Sequence, residues 1–119
     1  MDARYRIEDT REIISPALVL YQDLLEANLR RMVAIARDPA RLRPHAKTHK
    51  MPQVTRRELA HGIVKHKCAT FAEAEMLAGA GVGDIFLSYN LVGPNIGRAV
   101  EFRRRFPRAT LRVQADQPQ

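Results

Sequence analysis

Apolar positions recur along this chain in two alternating rhythms. In "PALVLY", Pro16 to Tyr21, they run together as in a short buried strand; directly after it, Leu25, Leu29, Met32 and Val33 fall at helical spacing, with Asp23 near the helix start. "LRPHAKTH", Leu42 to His49, reads as a second strand. Pro52 then suits the first turn of a helix that continues to about Ala60, and Gly62 is a natural stop. "IVKHKCA", Ile63 to Ala69, is β-branched and apolar enough for the next strand. Thr70 and Glu73 have the spacing of a capping box, opening a helix that closes near Gly79 and Gly81. "DIFLSYN", Asp84 to Asn90, is a further strand, and "GPN", Gly93 to Asn95, begins a helix that ends before Pro107. In that helix Ile96, Val100 and Phe102 or Phe106 are expected to face inward. "TLRVQAD", Thr110 to Asp116, is the last strand.

Short strands joined by helices of ten or so residues imply an α/β fold of parallel βαβ units, whose sheet must be covered on both faces. The pattern closes on a strand with no helix after it. The expectation is therefore an incomplete object, with residues 1–14 as an N-terminal extension.

One stretch carries candidate chemistry. In "RPHAKTHK", Arg43 to Lys50, strand periodicity would project His45, Lys47 and His49 from one face and Ala46 and Thr48 from the other. At the carboxyl end of a parallel strand such a lysine could meet a substrate. A solvated lysine with two histidines bonded to nearby loops fits the spacing as well, and a cation between the histidines would have to coexist with the lysine ammonium. His66, Cys68 and Thr70 share one face of the next strand; an H-x-C pair can suggest metal, but core packing for Cys68 and helix capping for Thr70 account for both. Tyr89 and Asn90 end their strand where ligand-binding loops begin and are candidate substrate-pocket residues. Gln114 and Asp116 have the same weaker claim.

Composition narrows the classes. The chain has 119 residues, 20 Lys and Arg against 13 Asp and Glu, and a formal charge of +7. That charge invites a nucleic-acid reading, but its densest cluster, "EFRRRFPR", falls on the solvated side of a helix. With three Tyr, four Phe and no Trp there is no base-stacking surface either. No run approaches the roughly 18 apolar residues of a membrane span, and "MDARYRIEDTREII" lacks the order of a secretory signal. The single cysteine, Cys68, fits a reducing compartment, so a cytoplasmic location is expected.

"SPALVLYQDLLEANLRRM", "LRPHAKTHK", "KHKCATFAEAEML" and "YNLVGPN", in this order, resemble the N-terminal part of the D-threonine aldolase and D-serine dehydratase family, between Ser15 and Asp116. Those are pyridoxal-phosphate enzymes with an alanine-racemase-like barrel (fold type III). The resemblance implies that the chain forms about the first half of the βα units of a (β/α)8 TIM-type barrel, which takes about 250 residues in full. It implies that Lys47 holds pyridoxal 5'-phosphate as an internal aldimine, with His45 and His49 lining the cofactor pocket. An amine must lose its proton to attack an aldehyde, and Arg43, His45, His49 and Lys50 are close enough in sequence to favour that state if they turn toward the site. The "LVGPN" turn points to the aldolase-like branch, which cleaves a D-β-hydroxy amino acid to glycine and an aldehyde.

The same resemblance leaves a D-serine dehydratase and an amino-acid racemase as alternatives, and a non-catalytic fragment or assembly module stands beside it as a reading of a different class. It implies a small-molecule D-amino acid substrate and a homodimer in the full-length family. The family's divalent-metal ligands, phosphate-binding loops and C-terminal β-domain come later in the chain and have no counterpart among these residues. Activity of the chain by itself is therefore not expected.

Overall fold

The computed structural model describes residues 3–116. In chain order it comprises α1 (Gln22–Ala36), α2 (Pro52–Ala60), β1 (Lys65–Cys68), α3 (Phe71–Ala80), β2 (Asp84–Asn90), α4 (Pro94–Arg105) and β3 (Thr110–Gln114), with short 3-10 turns at Ala3–Tyr5, Pro39–Arg41 and Ala46–Thr48. The three strands form one parallel sheet in the order β1, β2, β3. This is the α/β pattern expected from strands separated by helices. No helix among the described residues is long and apolar enough to cross a membrane.

Strand alternation divides the sheet into two unlike faces. His66 and Cys68 of β1 lie in register with Ile85 and Leu87 of β2, and all four are fully buried. Cys68, Ile85 and Leu87 pack with Phe71, Ala74 and Leu77 of α3 and with Ala99 and Phe102 of α4 to form the core. Each large side chain buried there stabilises the fold by about 1.5–3 kcal/mol. On the opposite face Lys65 pairs with Asp84, and Lys67 with Phe86 and then Arg112. These side chains are half-buried or exposed. Parallel sheets are ordinarily covered on both sides. Here the helices cover one, and the radius of gyration, 17.0 Å, exceeds the value of about 13.5 Å for a compact domain of this length.

Local signals explain most element boundaries. Thr70 caps α3, its Oγ1 accepting the Glu73 N–H at 3.1 Å, while the Glu73 carboxylate accepts the Ala69 N–H at 2.8 Å. The capping box thus reaches one residue further back than its usual form. Gly81 ends the helix at φ 105°, a left-handed conformation that costs glycine little. Pro52 and Pro94 occupy first turns of α2 and α4, where a missing N–H leaves no bond unmade.

Three expectations are corrected. Pro16–Tyr21 forms no strand: no described strand runs beside it, and Leu18, Val19 and Leu20 remain exposed. In α4 the inward residues are Ala99 and Phe102, with Phe106 half-buried after the helix, while Ile96 and Val100 are exposed. A stripe at 99, 102 and 106 keeps the 3–4 spacing of one helical face and leaves positions 96 and 100 on its flank. The third correction concerns Leu42–His49. Only His45 makes a bridge, to Lys67, beside one bond from the Lys67 N–H to the Pro44 carbonyl at 2.8 Å; Ala46–Thr48 then wind into a 3-10 turn.

Candidate functional site at the carboxyl ends of the strands

The turn that replaces the expected strand carries Lys47. His45 sits at its start in extended conformation, and its Nδ1 accepts the Lys47 N–H at 3.1 Å. The Lys50 N–H closes the turn on the Ala46 carbonyl at 2.8 Å, with Lys50 itself at φ 50°. Ala46 is fully buried and pins the turn to the core, leaving Lys47 and Thr48 exposed. His49 repeats the arrangement of His45, its Nδ1 accepting the Met51 N–H at 3.0 Å just before α2. Of the three residues read from sequence as one strand face, His45 and Lys47 are thus joined by a backbone cap, while His49 caps the next turn at Met51.

The surrounding charges differ from those anticipated. Arg43 turns away from Lys47 to the other end of β2, donating to Asp84 Oδ1 at 2.8 Å. Lys50 faces the buried carboxylate of Glu73 at 3.9 Å. The nearby cation that sequence reasoning missed is Lys67, aligned with His45 by the bridge and lying 5.8 Å over the Phe86 ring. Its signal was available in the strand alternation of "KHKC", had the partner strand been known. Burial holds the His45 imidazolium below the usual histidine range, Lys47 and Lys67 push the same way, and Glu73 opposes them. His45 therefore favours its neutral form, which the Nδ1 cap requires.

Among the described residues no hydrogen bond links the remaining candidates to the Lys47 turn. Tyr89 packs against the core cluster, and Asn90 donates to the Asp116 carboxylate across the ends of β2 and β3. Gln114 ends β3 and is exposed. His66 is fully buried with its Nε2 3.0 Å from Glu58 Oε2, on the helix side of the sheet. Burial, with the Glu73 charge beside it, pushes the Cys68 thiol up to about 12. Such a thiol is packing material rather than a nucleophile. Among the described residues no three His, Cys, Asp or Glu side chains are grouped so as to hold a metal ion.

A pyridoxal-phosphate anchor requires a primary amine with room to react. Lys47 fits that requirement: among the described residues its amine makes no hydrogen bond or ion pair, and its backbone is held by the His45 cap. His49 Nε2 is buried with no partner among them, leaving one polar atom available to a bound group.

No protein-family model matches the chain. It is 46% identical over 81 residues to a D-threonine aldolase of an Arthrobacter species, a match covering 67% of this chain and 21% of the relative. It is 33% identical over 92 residues to the D-threo-3-hydroxyaspartate dehydratase of a Delftia species (strain HT23), covering 76% and 24% respectively. The crystal structure of the D-threonine aldolase from Filomicrobium marinum superposes with a TM-score of 0.73 at 36% identity, covering 88% of this chain and 28% of that one. The chain thus spans about a quarter or less of the length of the curated relatives it matches.

Proposed function

We propose, from the homology of this chain with D-threonine aldolase and D-threo-3-hydroxyaspartate dehydratase, that it forms the lysine-bearing βα units of a pyridoxal-phosphate-dependent lyase of D-β-hydroxy amino acids. In this reading the parallel sheet is part of a (β/α)8 barrel, and its open face is the side turned to the barrel interior. The observation that carries the reading is the position of Lys47, on a capped turn beyond the bridge between His45 and β1, with its amine free of described partners. Ligands of parallel α/β sheets bind at this end of the strands.

When bound, pyridoxal phosphate supplies the electron sink for a carbanion at the substrate α-carbon. The chain's own part would be to hold the group through Lys47, whose amine, when free, would serve as a base. Aldol cleavage is the leading reaction, because the relative of higher identity is named an aldolase. Dehydration is the second reading, favoured by the relative named a dehydratase. The reading also includes a D-amino acid as substrate and a homodimer as the assembly of the whole enzyme.

Adding pyridoxal phosphate to the purified chain tests the anchor. An absorbance band of a protonated imine that disappears in Lys47→Ala supports it, and an equal band in both proteins contradicts it.

A further inference from the structure

We propose that His45 is a positioning residue for Lys47: its imidazole Nδ1 caps the turn that presents the lysine, rather than touching the bound group. The proposal rests on the reading of Lys47 as the covalent anchor. Its basis is the spacing of "HAKTHK" on its own backbone. His45 accepts the N–H two residues ahead, at Lys47, and His49 accepts the N–H two residues ahead, at Met51. Two such caps four residues apart build consecutive turns, which accounts for a lysine set midway between two histidines. Asn, Asp, Ser or Thr ordinarily supply a cap of this kind. A histidine there does something those residues cannot: the cap exists only while Nδ1 carries no proton.

The groups facing the His45 ring agree with that requirement. Lys47 on its own turn and Lys67 on β1 disfavour a second proton, burial does so more strongly, and among the described residues Glu73 from α3 is the opposing charge. With the folded-state titration lowered, the cap is intact above the ordinary histidine range and is lost as pH falls through the lowered value. The turn around Lys47 then loosens before the core does, because Ala46 remains buried beneath it.

Isosteric replacements separate positioning from contact. The Asn Oδ1 falls near the place of histidine Nδ1 and can accept the same N–H, whereas the Gln amide reaches the place of Nε2. The experiment follows two readouts on the 119-residue chain: borohydride trapping of pyridoxal phosphate in His45→Asn, His45→Gln and His45→Ala, and amide exchange at Lys47 in the unsubstituted chain across the His45 titration. The expected result is trapping at near the original rate in His45→Asn and about 5-fold slower in His45→Gln and His45→Ala, the worth of one ordinary hydrogen bond. Lys47 exchange, corrected for its intrinsic rate, should rise about 5-fold on protonation of His45. Retention in His45→Gln with loss in His45→Asn would overturn the proposal in favour of contact through Nε2, as would equal rates in all three variants or unchanged Lys47 exchange. Absence of trapping in every protein would count against the functional reading alone, and the exchange measurement then decides the cap by itself.

Discussion

Arg43 and Asp84, 41 positions apart in sequence, meet at 2.8 Å on the open face of the sheet. The same carboxylate accepts from Arg112 of β3 at 3.0 Å, and Arg43 also reaches the His66 carbonyl at 3.3 Å. Asp84 thus ties the segment before the Lys47 turn to β2 and β3, and Arg43 itself reaches β1.

Removing that carboxylate leaves Arg112 without its acceptor and Arg43 with backbone carbonyls alone. Asp84→Ala is expected to cost about 1–3 kcal/mol, read as a lower urea midpoint. Asp84→Glu, which keeps the charge but not the reach, should recover part of the loss. No change in midpoint would show that the cluster contributes nothing.

The pH dependence follows from the same pairings. Hydrogen bonds from Arg43, and then Arg112, hold the Asp84 carboxyl below the usual carboxylate range against the opposing effect of burial. Glu26 is lowered likewise, by His61 and then Arg57, which join α1 to α2. A carboxylate whose folded-state value is depressed stabilises the fold above its unfolded value, near pH 4, and loses that contribution as pH falls through the folded value. Stability should therefore drop with acid below about pH 4. In Asp84→Asn the slope of the urea midpoint against pH in that window should be shallower, and an identical slope would remove Asp84 from the explanation.

The buried pair His66 and Glu58 makes a prediction on the helix side of the sheet. Glu58→Ala strands a fully buried imidazole whose Nδ1 already has no described partner. The expected cost is about 1–3 kcal/mol, larger than that of an exposed substitution such as Glu101→Ala. Thermal denaturation of the two variants side by side checks the order.

Cys68 should resist alkylation in the folded protein. Its thiol is fully buried and pushed up to about 12, so almost no thiolate is present at neutral pH. Mass spectrometry after iodoacetamide should show modification only once denaturant is added; rapid labelling without it would contradict the core placement.

The legible parts of this fold were those set by neighbours in sequence. Thr70, Glu73 and Gly81 define the ends of α3 by bonds within a few residues, and strands at Asp84 and Thr110 begin where alternation and turns said they should, while β1 starts at Lys65, two residues after the expected Ile63. The Lys47 turn was misread because a strand requires a partner: beyond His45 no ladder continues, and the imidazole rings take up the backbone N–H groups instead. Period two and consecutive capped turns both fit histidines at 45 and 49 flanking Lys47, so spacing could mark the candidate segment without giving its conformation. Lys67 and Asp84 reach their places only through sheet register and long-range ion pairing, which no local pattern records.

Whether Lys47 is the covalent anchor for pyridoxal phosphate is decided by borohydride reduction of the chain with the cofactor, followed by peptide mass mapping. The expected result is a reduced pyridoxyl adduct on the peptide containing Lys47, absent from Lys47→Ala. An adduct confined to other lysines, such as Lys50, Lys65 or Lys67, would contradict it.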